Sequence, residues 1–413
     1  MDGNAGTIII GAGQAGLAMS RCLSDRGLPH LVLERGQVAQ RWRSERWHSF
    51  TLLSPNWQTR LPGHRYAGSE PDGFMRAAQV ADMLQAYARG APVRTGVTVD
   101  AVRPSAHGWW VLTSTGSYLA SNVVVATGDL DLPAVPALAW DLPPQLHQLH
   151  TSRYRRPAQL PAGGVLVVGA GPSGQQIADE LARAGRAVHI AVGRHKSLPR
   201  RYRGRDAYWW MDRMGMLDRT VDSLSQHHVG RRTPNAVLTG GREDLDLHRL
   251  VRHGVVPHGH LTGCLHGILS FAADLASLVD AAEQNAIRFR AAVDDYVRRT
   301  GLDVQAQQAP RARPAPWADD PARTLDLARA DIGTIIWATG FRRDFSWLPA
   351  PVLDEAGEPV QRRGVTPAEG LYFLGLRWMH RRSSSFLDGV GADAEYLAEH
   401  IAERIRVSAC AAA

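Results

Sequence analysis

Cysteine is scarce. Cys22, Cys264 and Cys410 are the only three in 413 residues, and they lie far apart in the chain. No C-x-x-C pair and no zinc-type ligand spacing occurs, so a disulfide framework, a dithiol relay and a metal centre are not expected. Lysine is scarcer still: Lys196 stands alone beside 46 arginines. No apolar run approaches the ~18 residues that would span a bilayer. Met1 to Gly6 has neither a basic n-region nor an apolar h-region. The expectation is a cytoplasmic protein without a secretory leader or membrane contact. Internal repeats are absent, and no Ser-His-Asp set or carboxylate pair stands out for hydrolytic chemistry.

What is present is an ordinary globular composition, 44% apolar and 21% charged, long enough for two to three domains with their own cores. The net charge is +7. Six lysines and arginines fall between Arg194 and Arg205 with no acid among them. A local cluster of this kind suits one anionic small ligand better than nucleic acid.

The first element, Thr7-Ile8-Ile9-Ile10, reads as a buried parallel strand. Gly11-Ala12-Gly13-Gln14-Ala15-Gly16 follows at once, then a helical pattern through Leu17, Met19, Cys22 and Leu23. Leu31-Val32-Leu33 is a second strand ending in Glu34 and Arg35. In such a unit Gly11 permits the tight turn, Gly13 lets the backbone approach a pyrophosphate, and Gly16 allows close helix–strand packing. The helix start offers free N–H groups to phosphate, and Glu34 would accept hydrogen bonds from a ribose. Gln14 and Arg35 belong to the same expected dinucleotide site.

The pattern returns in mid-chain. Val165-Leu166-Val167-Val168 leads into Gly169-Ala170-Gly171-Pro172-Ser173-Gly174, a helix, and the strand Ala187–Val192. No acid ends this strand; Gly193-Arg194-His195-Lys196 follows. A 2′-phosphate would be repelled by a carboxylate there and held by a guanidinium. The first unit therefore reads as FAD or NAD binding and the second as NADP binding. The alternative for Arg194, and more so for Arg200, Arg201, Arg203 and Arg205, is a solvated surface residue. Two further apolar strands run into small-residue turns, Ala126-Thr127-Gly128 and Ala338-Thr339-Gly340. Each would let the chain pass close to a nucleotide or cross between domains.

With these motifs the chain resembles the class B flavin-dependent monooxygenases, which carry two dinucleotide-binding domains, and the resemblance covers nearly its whole length. A degenerate form of that family's Phe-x-Gly-x-x-x-His-x-x-x-Tyr signature lies at 144–154. His150 and Tyr154 match, whereas Pro144 and Leu146 replace the Phe and Gly. The absence of Trp-Pro after the histidine argues against Baeyer–Villiger relatives. The resemblance implies an α/β fold of two Rossmann-like domains, an NADP domain at 156–324 inserted into an FAD domain at 1–155 and 325–413. It implies that NADPH reduces FAD and that O2 adds at flavin C4a as a (hydro)peroxyflavin. A small nucleophilic nitrogen or sulfur substrate then takes one oxygen atom. Gln40 and Trp42 would lie beside the FAD, His150 and Tyr154 would belong to the cofactor site, and Asp388 would open a terminal helix facing the flavin pyrimidine. Asn56, in a Ser-Pro-Asn turn, is the catalytic candidate near C4a; local turn chemistry is its alternative.

Three features stay open. Tyr208-Trp209-Trp210-Met211 is a pocket wall or core. His258-x-His260 lacks a third ligand at metal spacing, and the loop from Gly254 to His260 reads as irregular backbone near the nicotinamide or the pocket mouth. His227, His228 and the Pro310, Pro314, Pro316 and Pro321 run sit in connecting segments. The competing activity is an NADPH-dependent flavoprotein reductase with a non-thiol acceptor. A non-enzymatic flavin-binding regulator is disfavoured by the intact glycines of both motifs.

Overall fold

The computed structural model describes residues 3–224, 236–238, 241, 243–308, 313–349 and 352–412. His227, His228 and Pro310 lie outside them. Strand β1 (Gly3–Ile10) leads into helix α1 (Gln14–Ser24) and strand β2 (His30–Glu34). Strands β3 (Val93–Thr95), β4 (Val99–Ser105), β5 (Gly108–Thr113) and β6 (Gly116–Val125) complete most of a seven-stranded sheet in the order β3-β2-β1-β6-β5-β4. Its centre is parallel, Ile8 sitting between Leu31 and Val123. Ile8–Ile10 and Val123–Val125 are buried, which is why the ends of β1 and β6 read as unbroken apolar runs.

The second sheet has five strands: β7 (His147–His150), β8 (Gly164–Val168), β9 (Val188–Ala191), β10 (Val256–His258) and β11 (Ile332–Trp337), in the order β7-β11-β8-β9-β10. Helix α2 (Pro172–Arg183) follows β8, and helix α3 (Leu275–Thr300) packs beside the strand Lys196–Ser197. The chain returns to the first sheet through β12 (Leu371–Phe373), which pairs with β6, and ends in helix α4 (Val390–Ala412) against α1.

The boundaries expected at 155/156 and 324/325 do not coincide with the sheets. β7 lies before the first boundary and β11 after the second, yet β11 pairs with both β7 and β8. The Ala338-Thr339-Gly340 turn therefore serves the second sheet, and the chain crosses later, ahead of β12. A valine- and isoleucine-rich buried strand looks the same in either sheet, so its periodicity carries no information about its neighbour. The segment 254–260 differs as well: Val256–His258 is the edge strand β10, not irregular loop. Among the described residues no helix is long and apolar enough to cross a membrane.

A buried arginine fastens the two units. Arg200 is 0% exposed; its Nε donates to Asp206 Oδ2 at 2.9 Å, and its Nη1 donates to the Leu53 carbonyl at 2.7 Å. Its guanidinium lies 4.8 Å from the centre of the Phe74 ring. The solvated reading of this residue is corrected: it is a paired, stacked ion at the seam.

Candidate functional site

Both glycine turns are built alike. Gly11 and Gly169 have φ of +106° and +111°, a left-handed conformation that suits glycine. A Cβ on Gly11 would stand 2.8 Å from the Ala126 carbonyl oxygen, and one on Gly169 would stand 2.6 Å from that of Ala338. Each Ala-Thr-Gly turn thus passes directly against the first glycine of its own unit, which explains why the two motifs occur in pairs. A Cβ on Gly16 or Gly174 would lie 1.8 or 1.9 Å from the preceding turn's oxygen. Gly13 and Gly171 are different: no atom lies within 4 Å of where a Cβ would sit, and neither helix start has a side-chain cap. Open space above uncapped N–H groups is what a pyrophosphate needs, so both turns fit a dinucleotide.

Glu34 is buried at the end of β2. Its Oε2 accepts from Ala12 N–H at 2.8 Å and its Oε1 from Gly36 N–H at 2.8 Å. The carboxylate braces the turn, and its remaining lone pairs are what a ribose would use. Gln14 Nε2 donates to the Ser385 carbonyl at 2.7 Å, tying the first turn to the segment before α4. Arg35 is exposed and pairs with Asp131 at 3.4 Å. Gln40 Oε1 accepts from Gln37 N–H at 3.0 Å. Thr127 and Gly128 follow β6, with Gly128 at φ +81°.

A cavity of about 1520 Å³ lies between the units. Of the residues singled out in the sequence, Trp42, Gly169, Gly171, Ser173, Arg194, His260, Thr339 and Gly340 are among those that line it. Trp42, Trp47 and Phe50 form an aromatic shelf from the first unit, Trp47 and Phe50 meeting edge to face at 5.0 Å. The Arg46 guanidinium lies 5.4 Å from the Trp42 ring; burial holds it down to about 10. Arg194 is exposed at the cavity edge and has no ion pair among the described residues. Thr151 and Gln176 also line the cavity. Neither belongs to the glycine motif itself, and no local sequence pattern singled them out.

Three sequence candidates have other roles. Asn56 is 4% exposed; its Nδ2 donates to the Glu70 carbonyl at 2.9 Å and its Oδ1 accepts from Met75 N–H at 2.9 Å. It braces the 56–75 loop and does not line the cavity, so the catalytic expectation gives way to the turn reading. Tyr154 is 0% exposed, and its hydroxyl donates to Glu180 at 2.9 Å; burial and the Glu180 carboxylate raise its pKa. His150 Nε2 lies 2.8 Å from the Gly340 carbonyl, and the ring stacks edge-on against Phe341. Burial lowers its pKa, so the neutral ring donates to Gly340. These two matched residues hold the cavity wall from behind.

Asp388 precedes α4, which begins at Val390 rather than at Asp388. Its side chain is buried, with Gln58 Nε2 at 3.4 Å and Arg60 Nη2 at 3.5 Å. Burial pushes its carboxyl up to about 6. In the aromatic run, Trp210 and Met211 are core, while Tyr208 meets Phe386 edge to face at 6.4 Å. His258 is buried, stacked on Phe271, and its Nε2 lies 2.8 Å from His189 Nδ1. Among the described residues no group of three or more metal-ligating side chains occurs.

Comparison with known proteins agrees with this geometry. Residues 8–211 match the family described as pyridine nucleotide-disulphide oxidoreductase. The chain is 33% identical over 400 residues to an uncharacterized CzcO-like oxidoreductase of Geobacillus kaustophilus, covering 95% of this chain and 97% of the relative. Over 197 residues it is 35% identical to indole-3-pyruvate monooxygenase YUCCA1 of Oryza sativa, 45% of this chain and 47% of that one. A flavin-containing monooxygenase of Stenotrophomonas maltophilia shares the fold, with a TM-score of 0.65 at 20% identity over 98% of this chain and 100% of that chain. FAD and a pyridine nucleotide are the cofactors of this enzyme group, and both turns have room for them. The chain belongs to the CzcO-like oxidoreductases, and its fold is similar to that of the flavin-containing monooxygenases.

Proposed function

We propose that the protein is an NADPH- and FAD-dependent monooxygenase that transfers one oxygen atom from O2 to a small nucleophilic nitrogen or sulfur substrate. The observation that carries this reading is the cavity between the units. The second glycine turn and Arg194 form one side, and the Trp42–Phe50 shelf of the first unit faces them. A nicotinamide held by the second unit would therefore be directed toward the first. Bound FAD supplies the electron and oxygen chemistry; the protein orients, desolvates and handles protons.

Each residue has a definable part. Gly13 and Gly171 offer backbone N–H groups to pyrophosphate, and Glu34 holds the first turn in shape. Arg194 selects the 2′-phosphate of NADPH. Trp42, Trp47 and Phe50 exclude water from the shelf. The Asp388 carboxyl, raised toward neutrality by burial, holds or releases a proton at its own oxygens near the start of α4. With no paired cysteines, Cys22 being buried and all three free, a disulfide acceptor has no thiol relay to use.

The test is O2 uptake by the flavin-loaded protein with NADPH, together with mass spectrometry of a panel of amines and thioethers. Oxygen consumption matched by a product 16 mass units heavier supports the proposal. NADPH oxidation that proceeds only with an added quinone, and without oxygenated product, would replace it with a reductase.

A further inference from the structure

A second cavity, of about 230 Å³, opens at the seam, and no described residue lines both it and the larger one. Arg60, Arg381 and Asp388 reach it from the first unit, Asp212 and Asp218 from the second. Backbone fixes the seam beside it: Ser383 N–H donates to the Leu217 carbonyl at 3.1 Å, and both residues line the cavity. A polar space of this size has room for several waters. Asp212 and Asp218 are 44% and 70% exposed, so the cavity is open to solvent on the side of the second unit.

Asp388 is the buried member of the set, its side chain 6% exposed. Its Oδ2 lies 3.4 Å from Gln58 Nε2 and 3.5 Å from Arg60 Nη2. The same Arg60 nitrogen lies 3.5 Å from Asp212 Oδ1, on the short helix Ala207–Arg213 of the second unit. Arg60 Nε is buried without a hydrogen bond among the described residues, so both carboxylates draw on a single nitrogen. Arg381 and Asp218 form a separate pair at the same cavity, at 3.2 Å. Tyr208, on the Asp212 helix, is a further titratable neighbour of Asp388. Burial raises the Asp388 carboxyl to about 6; Arg60 opposes the rise and Asp212 adds to it. A buried carboxylate keeps its charge only as far as a cation faces it, and here that cation is divided between the two units.

We propose that Arg60 and Asp212 are positioning residues for Asp388: through the guanidinium nitrogen that the two carboxylates share, the second unit sets whether Asp388 holds its proton. Where Asp212 draws Arg60, Asp388 stays neutral. Where Arg60 turns to Asp388, the carboxyl ionises and its proton leaves to solvent by way of the small cavity. The inference deepens the monooxygenase reading and rests on it for the use of that proton; the shared ion pair stands apart from it.

The test is a pH titration of the flavin-loaded protein followed by its infrared carboxylic C=O band, with Asp388→Asn supplying the difference spectrum that assigns Asp388. The midpoint expected for the unmutated protein is about 6. Asp212→Asn should lower it by roughly half a unit, and Arg60→Gln should raise it by roughly one unit. Asp218→Asn, at the same cavity but paired with Arg381, should leave it in place. In the Arg60→Gln background, Asp212→Asn should have a clearly smaller effect than in the unmutated protein. An equal shift in both backgrounds, or the same shift from Asp218→Asn, shows bare charge repulsion and overturns the proposal. An unmoved midpoint in Asp212→Asn overturns it, as does an Asp388→Asn spectrum that loses no titrating band. If Arg60→Gln does not fold, the two exposed aspartate variants decide. Flavin reduction by NADPH and O2 uptake on the same samples report separately on the monooxygenase reading, because the titration needs no turnover.

Discussion

The two nucleotide units share a backbone and part ways in their side chains. Gly11 N–H donates to Leu33 at 2.8 Å and Gly169 N–H to Ala191 at 2.9 Å; Ala126 N–H reaches Ile10 at 2.9 Å and Ala338 N–H reaches Val168 at 2.8 Å. The two turns are therefore the same object made twice. Where the first unit places the braced carboxylate of Glu34, the second has Val192, then Gly193 and Arg194. Where Leu31 pairs with Ile8, His189 pairs with Leu166. Backbone glycines make the phosphate turn, and the residues ending the second strand choose which dinucleotide it holds.

The largest effect that would break this symmetry comes from the third glycines. Gly16→Ala and Gly174→Ala each drive a methyl into a backbone oxygen that has nowhere to move, and should cost about 3 kcal/mol or more in denaturant unfolding. Gly13→Ala and Gly171→Ala, facing open space, should leave the unfolding midpoint unchanged. The first should lower FAD retention and the second should raise the NADPH KM. Equal stability losses at all four positions would refute the assignment of separate packing and ligand roles.

Next is Glu34→Gln, which replaces one of two charged acceptors by a donor and should cost about 2 kcal/mol with loss of flavin. The matching change in the second unit, Val192→Thr, should leave flavin content untouched. A smaller effect is expected for Arg194→Ala: a roughly tenfold rise in KM for NADPH, about 1.4 kcal/mol, with NADH unaffected. Equal losses with both nucleotides would remove Arg194 from the 2′-phosphate site.

The smallest effect at neutral pH concerns His189. Burial, reinforced by His258, lowers its pKa from 6.5 to about 4. The unfolded chain binds this proton below pH 6.5 and the folded protein only near pH 4, so stability is full above 6.5 and declines as pH falls toward 4. His189→Leu, the residue found in the first unit, should flatten that decline in a melting series from pH 7 to 4.5. An unchanged slope would place the acid sensitivity elsewhere.

Both glycine turns, their helices and the strands on either side were legible in the sequence because they depend on local spacing and periodicity. The positions of Glu34 and Arg194 at the ends of their strands were legible too, since they follow from the length of the unit. The role of Asn56 was not, because its amide is consumed by Glu70 and Met75, 14 and 19 residues along the chain. Arg200 looked like one more surface arginine until Leu53 and Phe74 of the other unit closed over it. Likewise β11 announces a buried strand without saying which sheet receives it, and the polar stretch His147–His150 gave no sign that it would be strand β7. The sequence by itself determined two dinucleotide-binding units and the side chains that distinguish them. Only the tertiary structure decided where those units are joined and what lines the cavity between them, because those contacts link residues from opposite ends of the chain.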